Sequence, residues 1–138
     1  MEKPLFIHPA ETARLAALRD SYPEPVWVAL EVRDMPAIAT FLETAPQATG
    51  GIRMLSCGEH RFPFLHKVGN WNRFNRFSGG TLVEKCCHFF DLMRLAIPAA
   101  PVRVMASAGQ AVNHQDEDYD GERPDIWDSG SVIVDFAD

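Results

Sequence analysis

The chain has 138 residues, the size of one ordinary domain. An apolar fraction of 46%, a charged fraction of 23% and a net charge of −6 fit a globular surface in water and argue against a general binder of nucleic acid or anionic membrane. No apolar run approaches the ~18 residues of a spanning helix. Met1-Glu2-Lys3-Pro4 lacks the basic start and apolar core of a signal peptide, so a cytoplasmic location is expected.

Residues 8–21 read as an amphipathic helix, with Pro9 in the first turn and Ala13, Leu15, Ala16 and Leu18 as the apolar stripe. Tyr22-Pro23-Glu24-Pro25 ends it, because prolines at that spacing cannot continue a helix. Residues 26–32, apolar and β-branched, read as a strand, and 35–44 as a second helix with Pro36 near its start. Gly50-Gly51 breaks the chain before a strand over 52–59. Residues 60–77 have no period and read as a long ordered loop. A long helix is expected over 81–97, ended by Pro98 and Pro101, then a strand over 102–108, an acidic loop over 113–128 and a strand over 131–136. This order predicts an α+β fold with an open, mainly antiparallel sheet and one long helix. Cys57, Cys86 and Cys87 are odd in number, and adjacent helical cysteines point apart, so reduced, small, buried thiols are expected.

The chemistry concentrates after Gly79-Gly80. Glu84, His88 and Asp91 stand at i, i+4 and i+7, on one face of a helix. A carboxylate one turn before a histidine can orient its imidazole and raise its basicity. Two readings stand: a solvated stripe beside Lys85 and Arg94, or a proton-transfer face. The apolar neighbours Cys86, Cys87, Phe89, Phe90, Leu92 and Met93 favour a buried or cleft position.

Asp116-Glu117-Asp118-Tyr119-Asp120-Gly121 matches the first half of a calcium loop, but Pro124 and Trp127 occupy the later ligand positions. A solvated acidic loop is the default there. Residues 60–77 carry Arg61, Lys67, Arg73 and Arg76 among aromatic residues, with no acid. That mixture serves a single-strand nucleic-acid groove or a loop over a small polar ligand, and Trp71, Asn72 and Arg73 suit the second better. Glu84, Cys86, Cys87 and His88 lie too close together on one helix to converge on a tetrahedral zinc, so no metal site is expected.

Several of these residues occur in a familiar order. Glu2-Lys3-Pro4-Leu5, then an alanine-rich helix and a strand, resembles the Glu-Lys-Pro segment of the glucose–fructose oxidoreductase / inositol dehydrogenase / MocA family. Gly79-Gly80-Thr81-Leu82-Val83-Glu84, with His88 and Asp91 following, resembles that family's Gly-Gly…Asp-x-x-x-His-x-x-Asp helix, and Val32-Arg33 with Pro36 is similar to its Arg-x-x-Pro segment. Trp71 falls where such proteins often carry a tryptophan before the glycines. The resemblance implies a two-domain NAD(P)-dependent oxidoreductase acting on sugars or polyols. It makes residues 1–32 the end of a Rossmann domain and 33–138 a C-terminal substrate-binding and oligomerisation domain.

Carried over by position, Lys3 is the catalytic lysine, His88 the acid/base, and Glu84, where the family usually has aspartate, polarises His88 or binds substrate. Glu2, Lys3 and Pro4 are expected near the cofactor, and Arg33, Trp71, Asn72 and Arg73 near the substrate. Asp91 is expected to be structural. The Gly-x-Gly-x-x-Gly phosphate loop of the family is not in this sequence. The chain is thus expected to be an internal piece of such an enzyme, whose NAD or NADP it does not hold alone. The rival expectation is a non-catalytic, stand-alone sheet module that self-associates or binds a polyol.

Overall fold

The computed structural model describes residues 1–61 and 65–137. In chain order they form a 3-10 turn (Pro9–Glu11), α1 (Thr12–Ser21), a second 3-10 turn (Glu31–Asp34), α2 (Pro36–Thr49), a third 3-10 segment (Val68–Arg73), α3 (Asn75–Ser78), α4 (Thr81–Glu84), α5 (Cys87–Ala96), β1 (Pro101–Gly109) and β2 (Ser129–Phe136). The strands pair antiparallel, Val104 opposite Val134 and Ala106 opposite Val132, so helices and an open antiparallel ribbon are segregated as in an α+β chain. No helix among the described residues is long and apolar enough to cross a membrane.

The N-terminal helix starts as its residues dictate. His8 Nδ1 accepts the Ala10 N–H, and the Glu11 carboxylate accepts the His8 N–H at 3.0 Å, a reciprocal cap ahead of the Pro9 turn. The expected apolar stripe finds no core, however: α1 buries none of its residues, and Leu18 is exposed. Helix α2 runs through Pro46 and ends at Gly50, whose φ of 71° supplies the left-handed cap, rather than stopping at Thr44.

Neither strand expected upstream of the sheet forms. Residues 26–30 join no ladder and 31–32 open the second 3-10 turn: the Met1 ammonium donates to the Trp27 carbonyl, the Met1 carbonyl accepts the Ala29 N–H, and the Leu30 N–H turns back to the Val28 carbonyl. Residues 52–59 are likewise not a strand. β-Branched composition favours extended backbone, but a strand exists only through a paired ladder, and no described segment lies alongside.

The expected long helix is also divided. The Lys85 N–H still makes the regular bond to the Thr81 carbonyl, but at Cys86 the ladder lapses, and its N–H donates to the same carbonyl from five residues on. The core is small: Phe74, Leu92, Ala96 and Ile126 are buried, whereas Val102, Val104, Met105 and Ile133 of the ribbon are exposed.

The acidic loop over 113–128 is not merely solvated. Asp128 accepts the Ala111, Val112 and Asn113 N–H groups, and Asp125 accepts the Asn75 N–H at the start of α3. Glu117 faces Arg73, and Ile126 sits in the core. Its carboxylates serve as backbone acceptors and ion partners, which orders the loop. The cysteines are free as expected, but half-buried rather than buried.

Candidate functional site

The paired glycines set the site. Gly79 and Gly80 have φ of 70° and 76°, the left-handed region that side chains resist. A Cβ on Gly79 would lie 2.8 Å from Val83 Cβ and 3.2 Å from Ile7 Cβ; one on Gly80 would lie 2.2 Å from Asn75 Oδ1. The missing side chains let the N-terminal segment close onto α4. Lys3, whose peptide bond to Pro4 is cis, is thereby brought to Glu84 across 81 residues of sequence.

Lys3 Nζ donates to Glu84 Oε1 at 2.8 Å and to the Glu84 carbonyl at 2.5 Å. That carbonyl lies just before the lapse in the helical ladder, so the break offers an acceptor which an unbroken helix would use internally. Lys85 Nζ stands 3.3 Å from the same carboxylate oxygen. Burial pushes the Glu84 carboxyl up, but the Lys3 hydrogen bond and the Lys85 charge outweigh it and hold it below the usual carboxylate range. Glu84 is therefore an anion between two ammonium groups. An ammonium has three donors, and Glu84 takes two from Lys3.

Lys3 and Glu84 line a cavity of about 440 Å³ together with Glu2, Glu31, Lys67, Val68, Trp71 and Lys85. That size suits a small molecule. His88 is 9% exposed; its Nδ1 is buried with no hydrogen-bond partner among the described residues, and its Nε2 lies 3.7 Å from Glu31 Oε1. The structure thus brings together Glu2, Lys3, Glu84 and Trp71 at one cavity, with His88 reaching it through Glu31.

Other expected residues are engaged elsewhere. Arg33 grips Asp91 through two contacts, Nε to Oδ2 at 2.9 Å and Nη2 to Oδ1. Asn72 donates to the Leu65 carbonyl, and Arg73, 1% exposed, donates to Glu117 Oε2 at 2.8 Å. None of Arg33, Asn72 and Arg73 lines the cavity. The Glu84 carboxylate meets lysines rather than His88, because the helix between the two is broken.

Glu31 escaped the sequence reading, while Lys67 entered it only as one cation of the 60–77 loop and Lys85 only as a solvated neighbour of the Glu84 stripe. Glu31 had one available signal, since Glu31 and Arg33 are charges two apart at the end of an apolar run.

A second, larger cavity of about 620 Å³ lies between 56–61, α4–α5 and the start of β2, lined by Cys57, Cys86, Phe89, Phe90 and Trp127 among others. Burial pushes the Cys57 and Cys86 thiols up, which leaves them neutral and weakly reactive. The smaller cavity holds the Lys3–Glu84 pair, and the larger one also carries Glu59, His60, Arg61, Lys85 and Asp128. Among the described residues no cluster of His, Cys, Asp and Glu is arranged to hold a metal.

Comparison with known proteins bears on the family and the fold. A family model for an oxidoreductase family, C-terminal alpha/beta domain, matches residues 49–138. Among curated proteins no sequence matches the chain. A crystal structure assigned as a myo-inositol dehydrogenase from Sinorhizobium meliloti 1021 superposes with a TM-score of 0.69 at 18% identity, over 99% of this chain. This chain spans 39% of the length of that protein. At such identity the likeness shows the fold.

Proposed function

The chain belongs to the glucose–fructose oxidoreductase / inositol dehydrogenase / MocA family of oxidoreductases through its C-terminal α/β domain, and from that membership we propose that it forms the substrate side of an NAD(P)-dependent dehydrogenase acting on a sugar or polyol hydroxyl. The observation that carries this reading is the Lys3–Glu84 pair at the wall of a sugar-sized cavity, with His88 beside it. Residues 1–32 are read as part of the nucleotide-binding side and 33–138 as the substrate domain.

The residues fit the reacting end of a nicotinamide–alcohol pair. An ammonium with a donor to spare, an anion that holds it and an aromatic wall at Trp71 share one cavity. They do not fit the pyrophosphate, since the sequence has no Gly-x-Gly-x-x-Gly loop. A nicotinamide, when bound, accepts hydride. Lys3 donates its third N–H to the substrate oxygen and favours the charge that grows there as the hydroxyl proton departs. Glu84 fixes the position of Lys3, and His88 Nε2 takes the proton as general base. Trp71 packs on the apolar face of the sugar ring.

Titration of the chain with a panel of polyols, followed by Trp71, tests the reading. Saturable binding that weakens about tenfold or more in Lys3→Met is expected; an identical response in that variant would contradict it. NADH titrated into the chain alone, followed by its fluorescence, is expected to give no micromolar binding.

One observation favours a second role alongside the first. The ribbon exposes Val102, Val104, Met105 and Ile133, a surface suited to self-association.

A further inference from the structure

Glu84, one turn before His88 in sequence, is the obvious carboxylate to support that imidazole, but the fold assigns it elsewhere. Its Oε1 is shared by Lys3 at 2.8 Å and Lys85 at 3.3 Å. The carboxylate that faces His88 Nε2 comes instead from the Glu31–Asp34 turn, 57 residues before it: Glu31 Oε1 at 3.7 Å. The other imidazole nitrogen, Nδ1, is buried and can meet neither solvent nor substrate. Nε2 is thus the working nitrogen, and Glu31 is its neighbour.

Glu31 is well placed to serve it. It lines the cavity wall with Lys3 and Glu84, and its side chain is 60% exposed where that of His88 is 11% exposed. Its turn is held against α5 by a second contact. Arg33, two residues on, grips Asp91, three residues beyond His88, with both faces of its guanidinium fork. The Asp91 hydrogen bond raises the Arg33 pKa further, so the guanidinium stays charged. The two elements therefore meet twice, once through a rigid bidentate pair and once through a looser carboxylate–imidazole contact at the cavity.

We propose that Glu31 is the positioning residue of His88, stabilising the imidazolium and passing its proton to solvent, and that the Arg33–Asp91 clamp holds Glu31 in place. This rests on the reading of His88 as the general base. When Nε2 takes the proton of a substrate hydroxyl, the new positive charge meets an anion 3.7 Å away. Glu31 can then accept that proton and release it to bulk water, leaving His88 neutral. The other charges around the site are Glu2, Lys67 and the committed trio Lys3, Glu84 and Lys85, with Asp91 on the helix of His88 answered by Arg33.

NMR titration of the histidine side chains in the chain tests this without needing turnover. The His88 resonance is identified by its loss in His88→Asn. In Glu31→Gln its titration is expected to move to lower pH, since the anion 3.7 Å from Nε2 is replaced by a neutral amide. Glu31→Asp should restore most of the shift, and Arg33→Met should reproduce part of it. Glu2→Gln, at the same cavity but without a contact to His88, should leave it in place. A His88 titration unmoved by Glu31→Gln, or moved equally by Glu2→Gln, overturns the proposal. Loss of polyol binding in Lys3→Met is independent of this outcome, so failure of the site and failure of the Glu31 assignment are told apart.

Discussion

Two buried cation–carboxylate pairs divide the molecule. Lys3 and Glu84 meet at a cavity, and Arg73 and Glu117 meet under the acidic loop. Both join residues far apart in sequence, and both place a cation out of solvent. Their surroundings differ. Arg73 is 1% exposed, Glu117 also accepts from His114 and the Tyr119 hydroxyl, and none of these residues lines either of the two cavities described. Burial pushes the Glu117 carboxyl up, but the His114, Tyr119 and Arg73 hydrogen bonds outweigh it and bring it down to about 2. At the first cluster Lys3 gives two donors to Glu84 and keeps a third, and about 440 Å³ of space adjoins the pair. An ion cluster packed under a loop builds structure; one at the wall of a cavity can build a site.

The comparison breaks most visibly under substitution. Arg73→Met leaves Glu117 without its guanidinium partner. Removing one member of a buried pair costs about 3–5 kcal/mol, and the partial exposure of Glu117 sets the expectation at the low end. Urea unfolding measures it, and an unchanged midpoint would show that the Arg73 cluster is not structural. Lys3→Met should cost less stability, since Lys85 remains 3.3 Å from Glu84 Oε1. It should lower polyol affinity by about tenfold to a hundredfold, the worth of one charged hydrogen bond.

Acid separates the clusters next. Glu117 sits at about 2 against an ordinary 4.5, and Asp128, whose burial is outweighed by the Asn113, Ala111 and Val112 N–H groups, at about 2 against 3.8. Both folded values are depressed, so the stability they contribute is complete above the unfolded values and is lost as pH falls toward 2. The urea midpoint should hold above about pH 5 and drop between pH 4.5 and 2, with a shallower drop in Asp128→Asn. The smallest effect is expected at Arg76, half-exposed in its pair with Glu122. Arg76→Ala should leave the midpoint within error, as exposed pairs do.

What the sequence conveyed follows the range of the interactions involved. The ribbon was legible because β1 and β2 carry their own apolar, β-branched runs and pair with each other. Gly79-Gly80 and the helix after it were legible because positive φ and helical period are local. Residues 26–32 and 52–59 were misread as strands, since pairing depends on a neighbour that composition does not name. The partners of Glu84 were not legible, because an i, i+4 rule assumes an unbroken helix, whereas the ladder lapses at Cys86 and Glu84 meets Lys3 and Lys85. Arg73 looked like a ligand-facing cation for want of any local sign of Glu117, 44 residues on.

The central claim is that the Lys3–Glu84 cavity, not the larger one, takes the ligand. The three tryptophans report on it separately: Trp71 lines the first cavity, Trp127 the second, and Trp27 neither. A polyol titration followed by the indole N–H resonances should move Trp71 in a saturable way while Trp27 and Trp127 stay in place. Movement of Trp127 with Trp71 unchanged would contradict the account.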